Sequence, residues 1–163
     1  YMLWPVVTHI LLFLLMIVGA CAGSTSGGLK LMRVTLALKV AWREIGRIAQ
    51  PKRIFRIRMN GEVVENERLG LIVGMLFVWT GLFAISCIVL AITMPDSDFE
   101  SVVAVVASSL GNTGPTLGDY GPSNTWASMG APSLVITSIL MWFGRLELMT
   151  ALLLIHPRTW ARE

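Results

Sequence analysis

Long uncharged apolar runs, broken by short glycine-rich or charged stretches, set the pattern of this chain. Residues 2–29 carry no charge unless His9 is protonated. Residues 69–94 run 26 positions without a charge, and residues 127–144 run 18 more before Arg145. Spanning a hydrocarbon core takes about 20 apolar residues, so three membrane segments are the minimum expectation. Residues 3–18, rich in Leu, Ile, Val and Met, predict a helix. The small residues Gly19-Ala20-Cys21-Ala22-Gly23-Ser24-Thr25-Ser26-Gly27-Gly28 should interrupt it, because each interior glycine costs a helix about 1 kcal/mol relative to alanine. Leu31, Val34, Leu38, Ala41, Trp42 and Ile45 then recur at spacings of three and four, with Lys30, Arg33, Lys39, Arg43 and Arg47 on other faces. That predicts an amphipathic helix ending near Gln50-Pro51.

Residues 54–58 and 62–64 alternate about Asn60-Gly61, the short-range signature of a β-hairpin. The next helix should begin near Glu65 to Glu67 and continue to Met94, where Pro95 stops it. Ser97-Asp98-Phe99-Glu100 has the spacing of a capping box, so a helix is expected from about Asp98 to Leu110. About 12 residues give roughly 18 Å, half a membrane, and Val102, Val103, Val105 and Val106 make the segment too apolar for water. A re-entrant half-helix satisfies both facts. The glycine- and proline-bearing segment of residues 111–118 follows. Ser123-Asn124-Thr125 then offers an N-cap for a last helix from Trp126 to about Ile155.

Composition reinforces the membrane reading: 55% of residues are hydrophobic and 14% charged, against about 25% charged in soluble domains. Net charge is only +3, yet ten of the thirteen Lys and Arg lie between Lys30 and Arg68. Residues 95–126 hold Asp96, Asp98, Glu100 and Asp119 and no basic residue. By the positive-inside rule, residues 30–68 and the tail with Arg158 and Arg162 face the cytoplasm and residues 95–126 face outside, in a multi-pass protein of the cell membrane. The basic run beside membrane segments argues for lipid headgroups or a protein partner over nucleic acid. Cys21 and Cys87 sit in apolar segments, where neither a structural disulfide nor a metal site is expected. His9 and His156 fall at segment ends and suit membrane interfaces. No paired carboxylates, metal-ligand cluster, nucleophile–base set or phosphate-binding loop occurs within the spans, so an enzyme is not expected. A chain opening on Tyr1 straight into an apolar run is expected to be part of a longer polypeptide.

The order helix, half-helix, glycine-bearing return, helix is the one by which potassium channels build a filter of backbone carbonyls. A half-helix entering from outside directs its negative, C-terminal end into the membrane at Leu110 and Gly111. Carbonyls of Gly111, Asn112 and Thr113 are placed to replace part of a cation's hydration shell, and Gly114 to permit the required backbone angles. One such segment surrounds only a fraction of an ion, so about three more must come from elsewhere. An ordinary extracellular turn is the simpler reading of residues 111–118, and a helix-packing patch of small residues that of residues 19–28. Arg145, after 18 uncharged positions, should face the protein interior or a water-filled cavity. There it is expected to hydrogen-bond carbonyls of the 19–28 loop; snorkelling to the cytoplasm or pairing with Glu147 is the alternative.

Gly111-Asn112-Thr113-Gly114-Pro115 resembles the fourth filter segment of the Trk/Ktr/HKT potassium transporters. Gly19 through Gly28, followed by Leu29-Lys30, is similar to the intramembrane loop in that family's third repeat, and Gly144-Arg145-Leu146-Glu147 to a sequence in its final helix. Thr116 departs from the pattern, in which glycine is commoner after Gly-Pro, and bears on the outer mouth rather than on the carbonyls of residues 112–114. The resemblance implies an all-α integral membrane fold of helix–pore-loop–helix repeats around a pseudo-fourfold axis. Residues 1–50 would be the second helix of repeat three, broken by the loop at 19–28. Residues 51–66 would be a cytoplasmic linker with a small β-hairpin. Residues 67–163 would be repeat four: helix 67–94, pore helix 98–110, filter 111–118 and helix 126–156. It further implies potassium uptake through a filter including Gly111, Asn112, Thr113 and Gly114. Residues 19–28 would act as a gate under that filter, with Arg145 as its latch. Implied partners are the remaining repeats, a second copy in a homodimer and cytoplasmic nucleotide-binding regulatory subunits. Potassium is the transported ion, and no bound cofactor is implied. A sodium-coupled or poorly selective transporter of the same superfamily, or an unrelated broken-helix secondary transporter, is the alternative.

Overall fold

The computed structural model describes residues 4–21, 27–50, 57–59 and 62–145. Helix α1 (Val6–Val18) ends at Gly19, whose φ of 69° lies in the left-handed region that glycine adopts without steric cost. Helix α2 (Leu31–Ala49) follows the loop. Strands β1 (Arg58–Met59) and β2 (Glu62–Val63) pair antiparallel, with Arg58 opposite Val63 and Met59 opposite Glu62; the turn at residues 60–61 lies outside the described residues. Helix α3 (Asn66–Thr93), helix α4 (Phe99–Gly111) and helix α5 (Ala131–Arg145) complete the element order.

Helix α4 is the centre of the arrangement: α1, α3 and α5 all pack against it. Ser101, Val102 and all of residues 104–111 are buried. Thirteen residues at 1.5 Å rise give α4 a length of about 20 Å, short of the roughly 30 Å hydrocarbon core. Its Val102, Val105, Val106 and Leu110 form one cluster with Trp79, Leu90 and Met94 at or beyond α3, Met129, and Leu140 of α5. Helix α3 differs in kind. Residues Glu67–Thr93 are long and apolar enough to cross a membrane by length and composition. They leave Phe77 82% and Ile92 75% exposed, along with Ile85 and Ile88. An apolar face of that extent is stable against lipid or neighbouring protein rather than water.

A second, smaller cluster joins Leu36 of α2, Ile57 and Leu69 of α3. Lys39 Nζ donates to the Arg58 carbonyl at 2.9 Å, tying α2 to β1. The face that α2 buries is therefore the one with Leu36, while Leu38, Trp42 and Ile45 of the expected apolar stripe stay exposed. The choice follows from where α3 contacts the helix. On the same helix, Arg43 donates to Glu44 at 3.0 Å and Arg47 also reaches it, holding the Glu44 carboxyl below the usual carboxylate range. This exposed pairing is screened by solvent and adds little to stability.

Three local expectations need correction. The capping box does not form: the N-cap of α4 is Asp98, without a side-chain cap bond. Ser97 Oγ instead shares a hydrogen bond with the Tyr120 hydroxyl at 3.2 Å, and Glu100 Oε1 lies 3.5 Å from His9 Nδ1. Both side chains meet distant partners in place of the local cap. Second, Gly111, expected to open the extended segment, is the last residue of α4. Third, the last helix starts at Ala131 rather than Trp126, and Trp126–Ser128 is a single 3-10 turn. Pro132 gives the reason: it lacks an N–H and fits the first turn of a helix, where that donor is unused, but not its interior. Any part of this helix beyond Arg145 lies outside the described residues.

Candidate functional site

The loop after α1 is closed at its base by backbone bonds. Gly19 N–H donates to Leu15 O, Leu29 N–H to Ile17 O at 3.3 Å, and Leu31 N–H to Ala20 O at 3.2 Å. The chain leaves α1 and returns to the same place. An added Cβ on Gly19 would meet the Gly27 carbonyl at 2.6 Å, and Gly28, with φ 81°, lies over the Ile17 carbonyl. Of the expected loop residues, Gly19, Ala20, Cys21, Gly27 and Gly28 are placed here; Ala22, Gly23, Ser24, Thr25 and Ser26 lie outside the described residues. Cys21 and Cys87 are free thiols.

The far end of this loop meets the C-terminus of α4. Gly28 N–H donates to the Leu110 carbonyl at 3.2 Å. That carbonyl belongs to the last turn of α4, where acceptors lack intrahelical partners. Helix α5 reaches the same point: a Cβ on Gly144 would collide with Leu110 O, and one on Gly27 would lie 2.8 Å from Leu110 O and 2.9 Å from Gly144 O. Three segments thus touch backbone to backbone, which only residues without side chains allow. Gly111 makes a similar approach to α1, where a Cβ would sit 2.6 Å from Met16 O.

Asn112 turns the chain out of α4. It adopts the left-handed conformation (φ 50°, ψ 39°), which Asn tolerates better than most residues. Thr113 N–H then donates to Ser108 O at 3.2 Å. The Asn112 side chain crosses to α5, where Nδ2 donates to Met141 O at 2.9 Å. Beyond it the chain extends, with Gly114 at φ 90° and open space where its side chain would be. Thr113 is half-buried, Gly114 and Pro115 exposed, and Thr116 and Leu117 buried again.

The extended segment returns to the start of α4. Asp119 N–H donates to Ser101 Oγ at 2.9 Å, and Gly118, with φ 70°, packs directly on Ser101. The 3-10 turn Gly118–Tyr120 is braced by Thr116 Oγ1 donating to Tyr120 O and by Asn124 Nδ2 donating to Asp119 O at 2.8 Å. Six residue steps from 112 to 118 span about 20 Å when extended, matching the roughly 17 Å that α4 covers from Ser101 to Asn112. Residues 112–118 thus lead from the C-terminal end of the half-helix back to Ser101 near its start. An ordinary surface turn would close over four residues.

The arrangement brings Leu110 and Asn112 together with Gly27, Gly28 and Gly144, while Gly111 packs on α1 and Gly114 faces open space. Arg145, the last residue of α5, is exposed and directly follows Gly144. Sequence reasoning used Asn112 only for its carbonyl and missed the reach of its carboxamide. It also missed Gly144 as a contact; small residues in an apolar helix do allow close helix packing, but nothing local singles out this glycine. The His9–Glu100 approach joins residues too far apart in sequence for any spacing rule. No group of three metal-ligating side chains occurs among the described residues. The local chemistry is that of backbone oxygens, at the negative end of a buried helix.

Residues 1–160 match the family model described as TrkH, cation transport protein. Curated relatives include the Trk system potassium uptake protein TrkH of Salmonella typhimurium and of Escherichia coli. Each is 34% identical over 157 residues, covering 96% of this chain and 32% of the relative. The TrkG protein of Escherichia coli is 28% identical over 162 residues, covering 98% of this chain and 32% of its own length. Among solved structures, the potassium transporter TrkH from Vibrio parahaemolyticus superposes with a TM-score of 0.85 at 29% identity, over 97% of this chain and 33% of that one. The chain spans about a third of the length of the curated relatives it matches.

Proposed function

We propose that this chain, which belongs to the TrkH family of cation transport proteins, supplies one filter segment and the gate of a potassium uptake pore. The observation that carries the proposal is the return of residues 112–118 from the C-terminal end of a buried half-helix to Ser101 near its start, with Gly114 in left-handed backbone facing open space. Backbone carbonyls of Gly111, Asn112, Thr113 and Gly114 contribute one quarter of a filter, and three further segments come from the remaining repeats. Residues 112–114 lie beyond the C-terminal end of α4, whose dipole favours a cation there.

Residues 19–28 act as the gate. Support comes from the Gly28–Leu110 bond and the contact of Gly27 with Leu110 and Gly144, which seat the described end of the loop under α4. Arg145 is the latch, one residue beyond that contact. The Lys- and Arg-rich segment 30–68 faces the cytoplasm and residues 95–126 face outside. On the cytoplasmic side α2 and the strand pair offer a basic surface to nucleotide-binding regulatory subunits. The complete transporter works as a homodimer in the cell membrane. Potassium crosses as the cargo, and no bound cofactor takes part.

The test is potassium flux through the complete transporter, reconstituted in vesicles, with Arg145→Ala beside the unsubstituted protein. The variant should conduct more. Unchanged flux refutes the latch and favours a lipid- or Glu147-paired arginine. Failure of the unsubstituted transporter to carry potassium refutes the pore itself, and strict stoichiometric sodium dependence selects the coupled alternative.

A further inference from the structure

We propose that the Asn112 carboxamide is a positioning residue that couples the gate to the filter, so that the two rearrange together. The inference rests on reading residues 112–114 as filter and residues 19–28 as gate. Asn112 Nδ2 donates to Met141 O of α5 at 2.9 Å, across 29 positions of sequence. The amide lies in a slot lined by two glycines from different elements. A Cβ on Gly144 would come to 2.7 Å from Nδ2, and one on Gly27 to 3.1 Å. Gly27 belongs to the loop and Gly144 to the last helix, so one side chain of the filter segment lies in the space that side chains on both would occupy.

The backbone of the same turn carries a second link. Gly28 N–H donates to Leu110 O, two residues before Asn112. Leu110 and Asn112 are held rigidly to each other by the end of α4, where Asn112 N–H donates to Ser109 O at 3.4 Å and Thr113 N–H to Ser108 O at 3.2 Å. Displacement of residues 27 and 28 away from α4 therefore breaks the bond to Leu110 and removes one wall of the carboxamide slot. The carboxamide is attached to the residue whose left-handed backbone turns the chain from α4 into residues 113 and 114. Its release changes the constraint on the carbonyls of residues 112–114. The open gate and the closed gate should thus present different filters to the ion, a coupling carried by one identified side chain rather than by general flexibility.

Asn112→Gly deletes the carboxamide while keeping a residue suited to positive φ. Asn112→Asp keeps the shape but replaces the donor with an oxygen facing the Met141 carbonyl. Single-channel recording of the complete transporter gives open probability and the potassium-to-sodium permeability ratio in the same patch. Losing one hydrogen bond from the closed state should raise the open-to-closed ratio about two- to twelve-fold, and both variants should also shift the permeability ratio. A purely structural role would lower thermal stability and leave both readings unchanged in the protein that does assemble; that result overturns the coupling. If Asn112→Gly fails to assemble, Asn112→Asp reads the same link. Potassium conduction with ordinary gating in both variants refutes the coupling alone, whereas no conduction by the unsubstituted transporter refutes the pore reading beneath it.

Discussion

Replacing Gly27 with alanine asks whether the close approach of the loop to α4 and α5 holds a gate shut. The obstacle is steric. The new Cβ would lie 2.8 Å from Leu110 O, 2.9 Å from Gly144 O and 3.1 Å from Asn112 Nδ2, where ordinary contact begins near 3.4 Å. The first two neighbours are backbone carbonyls of two different helices, so neither yields by a side-chain rotation. Relief requires the loop to withdraw by about half an ångström or α4 and α5 to part by as much. Overpacking of this kind costs about 1–3 kcal/mol. If the contact belongs to the closed state, that cost multiplies the open-to-closed ratio about 5- to 150-fold. Single-channel recording of the complete transporter measures the change directly. Gly74→Ala on α3 is the control: nothing lies within 4 Å of its added Cβ, and alanine strengthens a helix interior by up to about 1 kcal/mol. That variant should gate as the unsubstituted protein does. A Gly27→Ala transporter that assembles with unchanged open probability refutes the assignment of this contact to the closed gate.

Two further outcomes test the scaffold beneath the site. Leu110→Ala removes a side chain only 1% exposed from the cluster around α4 and should destabilise the protein by about 2–5 kcal/mol, read as a lowered midpoint of thermal unfolding in detergent; an unchanged midpoint means that the site relaxes around the loss. Ser101→Ala leaves the Asp119 N–H without its acceptor and should cost about 1–3 kcal/mol, with faster hydrogen exchange at Asp119 and a loosened Gly118–Tyr120 turn; unchanged exchange there removes Ser101 as the anchor of the extended segment.

What the chain's local chemistry settles by itself is where helices run and where they fail. Gly19 ends α1 because the required φ of 69° suits glycine. Pro132 sets the start of α5, and the apolar length of α4 fits a buried half-helix. These are consequences of neighbours within a few residues, and the long uncharged runs and motifs 19–28, 111–115 and 144–147 likewise sufficed to point to the family. The expected capping box at Ser97 and Glu100 failed for the opposite reason. Tyr120, 23 positions away, engages the Ser97 hydroxyl, and His9 on another helix approaches Glu100. Tertiary structure also decided which face of α2 is buried and which glycines touch. Gly27 and Gly144 read alike with many others in sequence, yet both meet Leu110 O beside the Asn112 amide. Partner choice of that kind depends on how α1, α4 and α5 pack together. No short window of sequence contains that information, because the contacts are made by backbone and by residues tens of positions apart.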